Sequence, residues 1–166
     1  MSKVAKRKKK VTPARAVLDL PAKPRGLGAW LGVVRTYQKC SEVLGEGIKP
    51  LGLKLAQHEV MMNLLKVPEQ TQQQLASHSY VTKSHMSAVL TEMEGLGWIG
   101  RTDSAVDKRS KVVCLTFAGR ALALCAYAVQ SQVVDAMMEP FSDQQMIDLE
   151  KLSRDAVAAL DRLDGL

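Results

Sequence analysis

What most limits how this 166-residue chain can fold is the stretch 71–115, which reads without a gap as a helix, a turn, a second helix and a two-stranded wing. Thr71-Gln72-Gln73-Gln74 has the spacing of a capping box. The threonine oxygen accepts from the N–H three residues on while Gln74 reaches back, so a helix starts there. Leu75 and Ala76 give that helix a small apolar face, and the short polar residues 77–80 predict a turn. Thr82 is the next N-cap candidate. After it Met86, Val89, Leu90 and Met93 follow helical spacing up to Gly95 or Gly97. Lys83, Ser84, His85, Ser87 and Ala88 are left facing outward, a donor-rich surface at a helix N-terminus that suits a DNA major groove. Two short strands follow, at 98–101 and 112–115, joined by a polar turn with Lys108 and Arg109 on its far limb. The combination is a winged helix-turn-helix, in which one helix reads the major groove and the wing reaches a phosphate or the minor groove. The bland alternative for 107–111 is a solvated charged turn.

Length and composition set the frame around this stretch. A chain of this size buries one core, and few aromatics beside abundant Ala, Leu, Val and Met favour a mainly α fold with a small β-hairpin wing. No apolar run approaches the length of a bilayer span, and the basic start lacks the apolar stretch of a secretory signal. A soluble cytoplasmic protein is expected. Cys40, Cys114 and Cys125 are odd in number and lack metal-ligand spacing, so they read as free thiols, best suited to small buried positions. The net charge of +6 divides unevenly: residues 1–26 hold nine cations against one acid, Asp19, and the remaining 14 cations and 16 acids leave the body at −2. The basic tail is expected to follow DNA phosphates or the minor groove, strengthening the salt dependence of binding; a merely solubilising tail is the alternative.

Taken in order, Pro13, Pro21, Pro24 and Gly26 make 11–26 a linker, and a first helix is predicted from Leu27. Leu27, Trp30, Leu31, Val34, Tyr37 and Leu44 repeat along it, and Gly45 to Gly47 are expected to stop it. A helix over 55–65 ends at Val67-Pro68. Beyond the wing, Thr116 caps a helix over 117–138 with Leu122, Cys125, Val129, Val133 and Met137 on one stripe, and Pro140 breaks it. Ser142 with Gln145 then forms a capping box and Phe141 with Met146 a hydrophobic staple, opening a last helix to about Leu163. The stripes of these long helices have too little globule to bury against within one chain. A homodimer is therefore expected, its two-fold axis placing two reading helices roughly 34 Å apart.

The chain resembles the MarR-type (multiple antibiotic resistance) regulators. The likeness is carried by Leu53 and Gln57, Thr71-Gln72-Gln73-Gln74-Leu75-Ala76, Met93-Glu94-Gly95-Leu96-Gly97-Trp98-Ile99-Gly100-Arg101, Asp107-Lys108-Arg109 and Leu115-Thr116-Phe117-Ala118-Gly119, and it covers 27–163. It implies dimerisation helices at 27–50 and 117–163, a DNA-binding lobe at 53–115, and a homodimer on a roughly palindromic double-stranded operator, usually repressing until a small, often aromatic or phenolic effector releases it. It also implies that Arg109 goes to the DNA backbone or minor groove while Asp107 orients Arg101. The expected DNA-facing set is thus Thr71, Gln73, Thr82, Lys83, Ser84, His85, Ser87, Arg101, Asp107, Lys108 and Arg109. Ala88 and Glu92 stand where many members carry arginines, and Lys54 where a Ser or Thr N-cap is usual. The family's ligand pocket lies between dimer helices and lobe, which makes Trp30, His58, Met61 and Met62 the ligand candidates. Trp30 and Tyr37 suit core or dimer packing better.

No His-Glu-x-x-His, Gly-rich phosphate loop or Gly-x-Ser-x-Gly is present, so neither an enzyme nor a bound metal or cofactor is expected. Two other readings stay open: a winged-helix protein-interaction module without an operator, and a regulator triggered by oxidation of Cys40.

Overall fold

The computed structural model describes residues 22–79, 83–103 and 111–163, without the Lys83 side chain. The basic arm up to residue 21, the Thr82 cap and the wing tip with Asp107, Lys108 and Arg109 lie outside them. Helix α1 spans Leu27–Ile48, a 3-10 turn Lys49–Leu51, α2 Leu55–Lys66, α3 Gln72–Ser77, α4 Lys83–Gly95, α5 Phe117–Met138 and α6 Asp143–Leu160. Three strands, β1 Gln70–Thr71, β2 Ile99–Asp103 and β3 Lys111–Leu115, form an antiparallel sheet in the order β1-β3-β2. The architecture is mainly α with a three-strand wing sheet.

The lobe forms for the reasons its sequence announces. Thr71 accepts from the Gln74 N–H at 3.2 Å and Gln74 Oε1 accepts from the Thr71 N–H at 2.8 Å, the complete capping box of α3. Met86, Leu90 and Met93 are wholly buried and Val89 nearly so, packing α4 onto Val60, Met61 and Leu64 of α2 and Leu75 of α3. Helix α4 closes with the Trp98 N–H on the Met93 carbonyl and the Gly97 N–H on that of Glu94, the paired bonds of a Schellman ending that swings the chain into β2. There Arg101 pairs in register with Val113 and Asp103 with Lys111.

Strand β1 was not legible beforehand, since two residues show no alternation. It exists because Gln70, nearly buried, is satisfied from three sides. Its Nε2 donates to the carbonyls of Asn63 (2.9 Å) and Val67 (3.1 Å), and its Oε1 meets His78 Nδ1 at 3.2 Å, leaving its backbone to pair with Val113. The sheet so formed is a strand wider than the expected hairpin.

Helix α1 also departs from expectation, because Gly45 and Gly47 do not stop it. A Cβ on Gly47 would stand 2.7 Å from Val129 Cγ1 of α5, so this glycine is needed for close packing rather than as a cap. The helix ends instead at the Lys49–Leu51 turn, where Pro50 supplies no N–H.

Helix α5 is the spine, lying against α1, α2 and the Lys49–Leu51 turn. Its core contacts are small, Gly119, Ala123 and Ala126, flanked by Leu122 and Val129. Small side chains bring the lobe close. The expected stripe was therefore only partly right: Cys125 is exposed. Also contrary to expectation, α5 is, by length and composition alone, long and apolar enough to cross a bilayer. Arg120 and Asp135 interrupt it. Helix α6 is capped as anticipated, by Ser142 and Gln145, ends at Leu160 rather than about Leu163, and buries no residue.

Candidate nucleic-acid interface

The candidate reading head is one face of α4. With Met86, Val89, Leu90 and Met93 inward, helical geometry turns Ser84, His85, Ser87 and Ala88 outward, and all four are exposed. Thr91 belongs with them and escaped the sequence reading, although the 84-88-91 spacing would have found it. It is exposed, and its hydroxyl donates back to the Ser87 carbonyl at 2.9 Å. On the neighbouring α3, Gln73 is exposed while Thr71 is half-buried and engaged in its cap. The fold brings Gln73, Ser84, His85 and Ser87 to the same lobe as the exposed Arg101 of β2, and Thr82, Asp107, Lys108 and Arg109 lie outside the described residues.

Two ion pairs flank the head. Lys54, at the N-terminal end of α2, sets Nζ 2.6 Å from Glu92 Oε1, and Arg101 sets Nε 3.4 Å from Glu94 Oε2. A lysine ammonium cannot accept a hydrogen bond, so Lys54 forms only half a capping box: its N–H donates to Gln57 Oε1 at 2.9 Å, and buried Gln57 starts the helix. Asp103 and Lys111 pair across the base of the wing.

The ligand candidates scatter. Met61 is wholly buried in the core, Met62 half-buried beside it, and Trp30 is 60% exposed on α1. His58 is nearly buried on α2, toward Gln130 of α5. His58 Nε2 and Gln130 Oε1 are both buried with no well-formed hydrogen bond among the described residues, yet the Gln130 side chain lies within hydrogen-bonding reach of the ring. Burial lowers the His58 pKa from 6.5, and the Gln130 amide offsets part of that. Since the folded value is the lower, the unfolded chain takes up the proton first, and stability is full above about 6.5 and falls below it. The urea midpoint of the wild type is therefore expected to drop between about pH 7 and pH 5.5 by more than that of His58→Gln; parallel curves would show that His58 does not titrate with unfolding. The cysteines are not the small buried residues expected: Cys40 is half-buried, Cys114 is half-buried with Sγ 3.6 Å from the Gly100 carbonyl, and Cys125 lies on the open side of α5.

A second surface lies away from the lobe. Between α1, the end of α5 and α6 runs an apolar groove of about 980 Å³, with Val33, Tyr37, Met137, Met146, Leu149 and Val157 on its walls. Val33 is 69% exposed, Tyr37 61% and Val157 58%. A contiguous apolar surface of this kind marks a site of contact with a protein, a membrane or a small ligand.

A helix-turn-helix with a three-strand wing and a polar, outward reading helix defines a winged-helix DNA-binding protein. The comparisons with known proteins agree. Residues 53–111 match the MarR family model. The chain is 34% identical to the HTH-type transcriptional repressor Rv2887 of Mycobacterium tuberculosis over 112 residues, 65% of this chain and 81% of that protein. The structure of Rv2887 with p-aminosalicylic acid superposes with a TM-score of 0.62 over 78% of this chain and 97% of that one, at 27% identity. A mutant Escherichia coli MarR complexed with operator DNA gives 0.66 over 80% and 94% at 24% identity. The organohalide-sensing RdhR-CbdbA1625 regulator bound to 2,4-dichlorophenol gives 0.69 over 86% and 88% at 17% identity. The chain belongs to the MarR family of DNA-binding transcriptional regulators, a non-enzymatic class, and this favours DNA over the protein-interaction module.

Proposed function

We propose that the chain is a cytoplasmic homodimeric repressor that holds a roughly palindromic operator and lets it go when a small aromatic or phenolic ligand binds. The observation that carries this reading is the presence of two separate surfaces on one chain. The polar face of α4 belongs to the lobe, and the uncovered apolar groove is lined by α1, the end of α5 and α6 without any lobe residue, so a two-fold partner seated on the groove leaves both reading helices free for successive major-groove segments.

The ligand site of this proposal is the α2–α5 seam. His58 Nε2 and Gln130 Oε1 lie buried there, polar atoms that a phenol hydroxyl would engage as donor to the amide oxygen, and Met62 stands one turn along α2 from His58 as an adaptable side chain. The relatives bound to p-aminosalicylic acid and 2,4-dichlorophenol support the ligand class. Ligand at that seam favours a spacing of the two reading helices that no longer matches the half-sites, and it shifts the equilibrium only by its preference for that spacing.

The test titrates p-aminosalicylic acid into the protein with and without a duplex of its own upstream DNA that gives an electrophoretic shift. Coupling is reciprocal, so DNA is expected to weaken ligand binding by the factor by which ligand weakens DNA binding. Equal ligand affinity in both titrations would refute release by this route.

A further inference from the structure

The two acids of the reading helix, Glu92 and Glu94, sit on opposite flanks of its exposed face, and each is held by a cation from a different neighbouring element. Lys54 comes from the start of α2, on the flank away from the wing, and Arg101 from β2, on the wing side. Both pairs are solvent-open: the lysine and its glutamate are 69% and 43% exposed, the arginine and its glutamate 35% and 43%. Exposed pairs of this sort add little to folding, so stability does not account for them. Their position does suggest a role. A carboxylate on the DNA-facing lobe occupies the same ligand sphere of a lysine or arginine that a phosphate oxygen would.

We propose that Glu92 and Glu94 are internal competitors for the phosphate-binding cations of the reading head, positioning Lys54 and Arg101 while keeping them off non-cognate DNA. The proposal rests on the DNA-binding reading. Whichever partner the lysine takes, the pair brings no net charge to the duplex. If Lys54 stays with Glu92, no phosphate is neutralised; if it leaves, Glu92 is stranded beside the polyanion. Non-specific affinity, which is nearly all counterion release, is thereby held down. Affinity for an operator is held down less, because base-edge contacts from the face between the two pairs contribute to it independently of salt. With the folded body slightly acidic, discrimination is bought by weak general attraction to DNA.

The experiment measures binding of the full chain to a random-sequence duplex across a salt series, for the wild type, Glu92→Gln, Lys54→Met and the double variant. The expected result for Glu92→Gln is a steeper salt dependence, by about one unit of log–log slope per protomer, and a gain of roughly threefold in affinity per freed cation for a fourfold lower salt. Lys54→Met is expected to cost little in the wild type and to erase the gain in the Glu92→Gln background. Glu94→Gln and Arg101→Met should repeat the pattern on the wing side. Thermal midpoints stay within a few degrees throughout, separating this effect from unfolding. An unchanged slope in Glu92→Gln overturns the proposal. So does an equal cost of Lys54→Met in both backgrounds, which would mean that the lysine meets phosphate irrespective of its glutamate. Absence of binding by the wild type at low salt would overturn this proposal together with the DNA-binding reading, a result readily told from a flat slope.

Discussion

Gly119→Ala is expected to be the most damaging single-methyl change in the described chain. A Cβ on Gly119 would lie 1.8 Å from the Trp98 carbonyl oxygen, 2.7 Å from its carbon and 3.0 Å from its Cα, all of them backbone. None can rotate aside. The same carbonyl accepts from the Thr116 N–H at 3.0 Å, and the Thr116 hydroxyl donates to the Gly97 carbonyl at 2.7 Å while capping α5 through the Gly119 N–H at 3.0 Å. Relief of the clash therefore means pulling the start of α5 off the turn that launches the wing. The loss is put at about 3 kcal/mol, the upper end for overpacking, since backbone offers no soft neighbour to yield. That corresponds to a thermal midpoint lower by roughly 10 °C. Gly95→Ala is the control: a Cβ there meets nothing within 4 Å, and its midpoint should stay within about 3 °C of the wild type. Similar midpoints for the two variants would refute the close approach of α5 to Trp98.

Charge placed in the α1–α6 groove should cut operator affinity steeply without unfolding the chain. Val33 and Val157 line the groove and are largely exposed within one chain, so a glutamate at either costs the isolated fold almost nothing. Seated under a two-fold partner, each becomes a buried unpaired carboxylate, present twice by symmetry, at several kcal/mol per site. The double variant Val33→Glu with Val157→Glu is expected to sediment as a folded monomer with an unaltered helical spectrum. Its affinity for operator should fall by about 10²–10³, toward that for random duplex, because one reading helix contacts only one half-site. A variant that stays dimeric, or that is monomeric and keeps wild-type operator affinity, would refute the homodimer proposed here.

How much of this was legible in the residues depended on the range of the interaction involved. Capping boxes at Thr71 and Ser142, the Thr116 cap, and the Met86-Val89-Leu90-Met93 stripe all declared themselves, because each is set by partners three or four residues apart. The outward face of α4 followed from that stripe by rotation. By contrast, the glycines at 45 and 47 resembled a stop signal, yet the helix runs through both and Gly47 turned out to be a packing surface, since only the approach of α5 decides what its missing Cβ is for. Cys125 looked like a member of an apolar stripe and is exposed, because α5 faces its own core through Gly119, Ala123 and Ala126.

Lys54 and Glu92 show the division most clearly. Read separately they were two departures from the family's pattern; 38 positions apart in sequence, they form one ion pair 2.6 Å long. Local order, capping and amphipathic period are properties of neighbouring residues, and the amino-acid sequence alone determined them: the long helices α1, α5 and α6, the helix-turn-helix, and which side of α4 faces out. Tertiary structure decided what distant residues do to one another. It recruited Gln70 into a third strand, buried His58 Nε2 and Gln130 Oε1 without a well-formed hydrogen bond among the described residues, seated Gly119 against Trp98 and tied each acid of the reading helix to a flanking cation. The physical reason is that these contacts depend on the angle and separation of whole elements, which no short window of sequence contains.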